Sequence, residues 1–171
     1  MRALILCAGK GTRLGLKKIP KCMVKVNGKP ILEHLINHLN KYGITEIIVN
    51  IHLKPEKVMK YFGTGLLYFY EPAPLGEEQT IRLLKNNWLG AEFVVMNGDT
   101  LTNINIKKMM KRLYNHQPCR FTNPLNGHFA GTRIYSEICK DSQKEWDGDG
   151  AYYFDCGTPE KLAKARRCFK N

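Results

Sequence analysis

Ala3-Leu4-Ile5-Leu6-Cys7-Ala8 is an unbroken apolar run, and Gly9-Lys10-Gly11-Thr12-Arg13-Leu14 follows it directly. A short apolar run without polar alternation, closed by glycine, is the pattern of a strand buried on both faces, as in a parallel sheet. A secretory leader is a poor description of this start. The apolar stretch is too short, and a basic glycine-rich segment stands where cleavage would fall. In doubly wound sheets, ligands bind beyond the carboxyl ends of the strands. Glycines there let backbone N–H groups approach a phosphate, and Arg13, Lys17, Lys18 and Lys21 add mobile positive charge to the same loop. The loop is neither a Walker sequence nor a full G-x-G-x-x-G. Taken alone, it leaves an ordinary turn open.

Outward from this loop, strand and helix patterns alternate. Met23–Val26 is a short extended piece, and Asn27-Gly28 is a turn. Pro30 suits a first helical position, with Ile31, Leu32, Leu35, Ile36 and Leu39 on one apolar face through Tyr42. Gly43 closes that helix, and Ile44–Ile51 is the next strand. Pro55–Phe62, Glu77–Asn87 and Asn105–Tyr114 read as helices, Leu66–Tyr70 and Phe93–Met96 as strands. Arg120–Thr122 and Phe129–Tyr135 are short strands around a turn at Pro124–Gly127, and Ala151–Asp155 is another strand. Thr158 caps a last helix that has Pro159 first and Glu160 in its opening turn. Alternation of this kind predicts a mostly parallel, mixed sheet with helices on both faces. The expected fold is a Rossmann-like three-layer α/β/α sandwich, in one domain over residues 1–171.

Composition narrows the partners. The chain has 171 residues, 43% hydrophobic and 25% charged, enough for a packed core and too apolar for a disordered chain. No apolar run reaches the roughly 18 residues of a membrane span. Lys and Arg number 27 against 15 Asp and Glu, a net +12 that favours polyanions such as phosphorylated small molecules, nucleic acid or an anionic membrane surface. The basic stripe Lys107, Lys108, Lys111 and Arg112 has no interleaved aromatics of the stacking kind, so a solvated helix face is the better reading than nucleic-acid binding. The six cysteines (Cys7, Cys22, Cys119, Cys139, Cys156, Cys168) are scattered with no C-x-x-C pair, which points to free thiols in a reducing cytoplasm.

Two further strand ends carry carboxylates. Asn97-Gly98-Asp99 follows the apolar run Phe93–Met96, and Asp155-Cys156-Gly157-Thr158-Pro159 precedes the capped helix. Each alone reads better as a turn or cap residue. Together with the basic first loop they make a crevice suited to Mg²⁺, which takes one or two carboxylates plus substrate phosphates. His34 and His38 are four apart on a helix without an evident third ligand, so they read as a solvated face. Asp147 and Asp149 read as a flexible turn, Trp88 and Trp146 as packing or loop residues.

Several stretches resemble the sugar-1-phosphate nucleotidyltransferases. Residues 6–14 with Pro20-Lys21 and Val26–Glu33 resemble their amino-terminal signature, and Glu71-Pro72-Ala73-Pro74-Leu75-Gly76 their nucleotide segment. Asn97-Gly98-Asp99, Ala130-Gly131 with Ile134-Tyr135, and Phe154-Asp155-x-Gly157-Thr158-Pro159 are similar to later motifs, in the family's order. Within the family the chain looks nearest to short mannose- or heptose-1-phosphate guanylyltransferases. The resemblance implies Mg²⁺-dependent transfer of a nucleoside monophosphate from an NTP to a sugar 1-phosphate. It implies nucleotide contacts from Leu6, Ala8, Gly9, Gly11, Thr12, Arg13, Lys21, Pro74, Leu75, Gly76 and Gly98. It also implies catalytic roles for Arg13, Lys21 and Asp99, and metal ligation by Asp99 and Asp155. The nucleotide half would be about residues 1–100 and the acceptor half about 101–171.

The departures lie mostly on the acceptor side. The loop from Arg13 to Lys21 is short, and Glu77 stands where Thr or Ala often follows P-L-G. Thr100 to Ala130 is much abbreviated, and Phe121-Thr122-Asn123-Pro124 lacks the Glu and Lys of the family's V-E-K-P. Arg120 and Arg133, with Gly131, are the acceptor-binding candidates that remain. Cytidylyl transfer to an alcohol phosphate such as phosphocholine, or a non-catalytic nucleotide- or RNA-binding module, are the alternatives, and a homo-oligomer is left open.

Overall fold

The computed structural model describes residues 1–15, 19–115, 120–122, 129–135, 145–146 and 150–169. In chain order the elements begin with β1 (Arg2–Leu6), the hairpin β2 (Lys25–Val26) and β3 (Lys29–Pro30), α1 (Ile31–Asn40) and β4 (Ile47–Ile51). Then come α2 (Pro55–Phe62), β5 (Leu67–Tyr70), α3 (Glu77–Leu84), β6 (Phe93–Asn97), β7 (Thr100–Thr102) and α4 (Ile106–Tyr114). The chain closes with β8 (Arg120–Thr122), β9 (Phe129–Tyr135), β10 (Glu145–Trp146), β11 (Tyr153–Asp155) and α5 (Pro159–Cys168). Seven strands form one sheet in the order β10-β8-β9-β6-β1-β4-β5. The β6-β1-β4-β5 part is parallel, and β9 runs antiparallel to β6.

Strand parity sorts the core. Along β1, Ala3 and Ile5 join one apolar cluster and Leu4 and Leu6 the other. In β6, Val94 and Met96 go one way, Phe93 and Val95 the other, as the two-residue period demands. The first cluster takes Leu35 and Leu39 of α1, Val58 of α2, Met109 of α4 and Leu162 of α5. The second takes Ile81 and Leu84 of α3, with Leu89. Helices therefore cover both faces, unequally, as expected for an α/β sandwich.

Local differences from the expected elements have physical causes. Pro30 is the residue before α1, in an extended conformation (ψ 146°), because it also closes the β2–β3 hairpin. Asn27 and Gly28 both have positive φ (49° and 81°), the pair a two-residue hairpin turn requires. Strand β4 begins only at Ile47, since the Ile44 N–H still bonds the Leu39 carbonyl at the end of α1. The helix expected through Asn87 opens into a π turn over Lys85–Leu89, which brings Leu89 and Trp88 to the cluster around Ile81 and Leu84. Strand β7 has no periodic signature of its own. It exists through antiparallel pairing with β11, with Thr100 opposite Asp155 and Thr102 opposite Tyr153. The expected turn at Pro124–Gly127 lies outside the described residues, as do Lys17, Lys18, Asp147 and Asp149. No helix among the described residues is long and apolar enough to cross a membrane.

Candidate active site

The carboxyl ends of β1, β4 and β6 meet at a cavity of about 260 Å³. Of the residues expected at a nucleotide, Leu6, Ala8, Gly9, Lys21, Pro74, Gly76 and Gly98 line it, together with Asp99. Gly11, Thr12, Arg13 and Leu75 do not. Gly11 precedes a 3-10 turn over Thr12–Leu14 in the left-handed conformation (φ 66°), and Arg13 is exposed on that turn. Gly98 has a packing role as well. Its N–H donates to the Leu6 carbonyl at 2.9 Å, and a Cβ there would stand 2.7 Å from that oxygen and 2.4 Å from Cys7 Sγ. Only glycine lets β6 turn this close to β1.

The pairing of β7 with β11 joins the two acidic strand ends. The Cys156 N–H bonds the Asp99 carbonyl at 2.8 Å. Lys21 Nζ donates to Asp99 Oδ2, and Lys161 Nζ donates to Asp155 Oδ2 at 2.6 Å. The Gly157 N–H donates to Asp155 Oδ1 at 2.7 Å. A Cβ on Gly157 would lie 2.7 Å from Asp155 Oδ1, 3.2 Å from Lys21 Nζ and 3.5 Å from an Arg13 terminal nitrogen. Arg13, Lys21 and Asp155 thus converge on one glycine, beside Asp99.

The electrostatics follow from that convergence. Burial pushes the Asp155 carboxyl upward, but Lys161, the Gly157 N–H and Lys21 outweigh it and hold it below the usual range. Burial, then the carboxylates of Asp99 and Asp155, pushes Cys156 up to about 12. Tyr153 is pushed up to about 12 by burial and the same two carboxylates. Cys7 is raised by burial first, then by the Cys22 thiol and Asp99. The Cys7 and Cys156 thiols are therefore held in the protonated form. The oxygen donors are two carboxylates, a hard-oxygen set that fits Mg²⁺ completed by phosphate oxygens and water. Among the described residues, no cluster of three His, Cys, Asp or Glu offers a closed metal site.

Sequence reasoning missed the frame behind the cavity. Glu71 is 1% exposed. Its Oε1 accepts from Asn50 Nδ2 at 2.9 Å and from the Thr80 hydroxyl at 2.6 Å, and its Oε2 accepts from the Leu75 N–H at 3.0 Å. Asn50 Oδ1 in turn accepts from the Cys7 N–H at 2.6 Å. This network fixes the Pro74–Gly76 loop against the end of β1. Asn50 could have been flagged as the polar residue in the apolar strand Ile47–Ile51. Cys22, Glu77 and Asn97 also line the cavity, and Gly157 and Lys161 stand at the carboxylates.

Two expectations come out differently or remain partial. His34 and His38 are not a solvated face: Nε2 of His34 bonds the Val26 carbonyl at 2.8 Å and Nε2 of His38 the Ile104 carbonyl at 2.9 Å. A helix wheel places them off the apolar stripe, but the β2–β3 hairpin and the segment before α4 fold over that side. On the acceptor side, Arg133 pairs with Val95 of β6 and with Arg120 of β8. Gly131 is in the same strand, one residue beyond the Thr132–Met96 pair toward the carboxyl end of β6.

The chain is similar in sequence and fold to known proteins. Over 120 residues, 64% of this chain and 52% of the relative, the sequence is 39% identical to a D-glycero-alpha-D-manno-heptose 1-phosphate guanylyltransferase of Campylobacter jejuni. A guanylyltransferase of the same description from Aneurinibacillus thermoaerophilus is 34% identical over 119 residues, 66% of this chain and 52% of that one. The chain spans about half the length of these curated relatives. The fold matches HddC from Yersinia pseudotuberculosis with a TM-score of 0.74 at 23% identity, covering 99% of each chain. A family described as MobA-like NTP transferase domain matches residues 3–151, and this chain belongs to that family.

Proposed function

We propose that the protein transfers a nucleoside monophosphate from an NTP to a sugar 1-phosphate, yielding an NDP-sugar and pyrophosphate, with Mg²⁺ as cofactor. The convergence of Asp99, Asp155, Lys21 and Arg13 beside the cavity carries this reading. The cavity has room for a base and ribose against Pro74–Gly76, leaving the phosphates to the open Gly9–Arg13 loop. Arg13 holds the leaving phosphates and Lys21 the α-phosphate. Asp99 and Asp155 would hold Mg²⁺, which supplies charge neutralisation for the reacting phosphates. An acceptor phosphate oxygen attacks the α-phosphorus in line, and no general base is needed because that phosphate is already anionic. Positioning and electrostatics supply the catalysis.

The acceptor is proposed to meet the β8–β9 side, where Gly131, Arg120 and Arg133 remain the candidates. Both halves then act as one transferase domain. Two guanylyltransferases among the relatives make GTP, with mannose 1-phosphate or a heptose 1-phosphate, the first pair to test. Free thiols at Cys7, Cys22 and Cys156 accord with a reducing, cytoplasmic setting. The test is pyrophosphate release from four NTPs against a panel of sugar 1-phosphates with Mg²⁺. The reading predicts release that requires metal, one nucleotide and a sugar phosphate together. It fails if no pair exceeds the protein-free control.

A further inference from the structure

Lys161 is an unexpected cation at this site. It is the third residue of α5, its N–H 3.4 Å from the Thr158 cap oxygen, and its ammonium reaches back to Asp155 Oδ2 at 2.6 Å. Helix stability does not account for it, because the macrodipole disfavours a cation in a first turn. The ion pair does not either, since the Lys161 side chain is 53% exposed and such pairs contribute little. Asp155 does not depend on it for orientation, because the Gly157 N–H already pins Oδ1.

The charge balance of the site suggests the role. Among the described residues, Asp99 is paired with Lys21 and Asp155 with Lys161, one ammonium on each carboxylate. Were a divalent ion held by the two carboxylates, both lysines would lose the oxygens they now bond and be free to turn to another anion. Lys21, 13% exposed and lining the nucleotide cavity, is released toward the α-phosphate. Lys161 does not line that cavity and comes from the solvent side on a long, exposed stem, so it is released toward whatever approaches Asp155 from outside.

We propose that Lys161 is a phosphate-binding residue for the acceptor: it sits on Asp155 in the free protein and moves to the acceptor's phosphate when metal takes the carboxylate. This rests on the transferase reading for the identity of the acceptor, but not for the anion site itself. The role predicts two effects of opposite sign in Lys161→Met. Removing the competitor tightens Mn²⁺ binding to the nucleotide-free protein, read by titration of the paramagnetic ion. Removing the ligand weakens inorganic phosphate binding to the Mn²⁺-loaded protein by about tenfold, the loss of one charge-assisted hydrogen bond. Lys161→Arg should keep most of the phosphate affinity. In turnover, Lys161→Met should raise KM for mannose 1-phosphate about tenfold while KM for GTP stays within about twofold.

Unchanged phosphate affinity in Lys161→Met overturns the proposal, as does a wild-type protein that binds no phosphate with Mn²⁺ present. Phosphate binding needs no turnover, so a Lys161-dependent anion site in a protein that transfers nothing would refute the transferase reading alone. Turnover with an unchanged acceptor KM in Lys161→Met would refute only the lysine's role.

Discussion

Glu71 and Asp99 line one cavity and Asp155 stands beside Asp99, yet Glu71 and the Asp99/Asp155 pair are held in opposite ways. Glu71 is almost fully buried and bonded by neutral donors: an amide, a hydroxyl and a backbone N–H. Asp99 and Asp155 are partly open, at 22% and 17% exposure, and each leans on a lysine. A carboxylate satisfied by fixed neutral dipoles has no partner to release, so it can only be framework. One held by a flexible ammonium can exchange that cation for another, which a substrate-metal site needs. The difference lies in the partners, not in the residue type.

The largest effect that tests this contrast is on turnover. Asp99→Asn and Asp155→Asn should each lower transfer by about a thousandfold, roughly 4 kcal/mol of transition-state stabilisation, while the melting temperature changes little. If either variant unfolds early, or turns over normally, its carboxylate belongs with Glu71.

Next comes Gly98, the hinge between frame and site. Gly98→Ala puts a methyl against the Leu6 carbonyl and should cost about 3 kcal/mol in denaturant unfolding, with activity falling alongside. A stable Gly98→Ala protein would mean that β6 and β1 can separate without loss.

Glu71→Gln keeps shape and turns one acceptor oxygen into an amide that faces donors. It should destabilise the fold by about 2 kcal/mol and weaken NTP binding through the loosened Pro74–Gly76 loop, with the acceptor KM unaffected. Equal destabilisation by Asp99→Asn would place Asp99 in the framework with Glu71.

The smallest effect concerns pH. His38 is partly buried against a neutral partner, the Ile104 carbonyl; desolvation, helped by nearby Lys41, outweighs that hydrogen bond and lowers its pKa below the ordinary value. The unfolded chain then takes up the proton at higher pH than the folded one. The stability from keeping His38 neutral is present above about pH 6.5 and is lost as the pH falls through its lower folded value. The melting temperature should drop on acidification from about pH 7, and His38→Gln should flatten that slope. Identical slopes in both proteins would show that other groups carry the acid sensitivity.

Much of this was legible in the residues themselves. The first strand, the Pro55–Phe62 helix and the Thr158 cap are local: their signals are periodicity and side-chain chemistry within a few residues, and the helix and cap appear where expected while the strand of the Ala3–Ala8 run covers Arg2–Leu6. Asp99 and Asp155 were legible as strand-end carboxylates for the same reason. Their meeting was not. It depends on β7, a three-residue strand made only by pairing with β11 some fifty residues later, a contact no local pattern encodes. Lys161 is nearer at hand: it stands six residues past Asp155 in the first turn of α5, and its ammonium reaches back to that carboxylate across the turn between β11 and α5. Sequence determined which groups are charged and which segments are strand or helix, because those are properties of short stretches. Tertiary structure decided that Glu71 is framework and that Asp99 meets Lys21, because their burial and partners come from elements far apart in the chain.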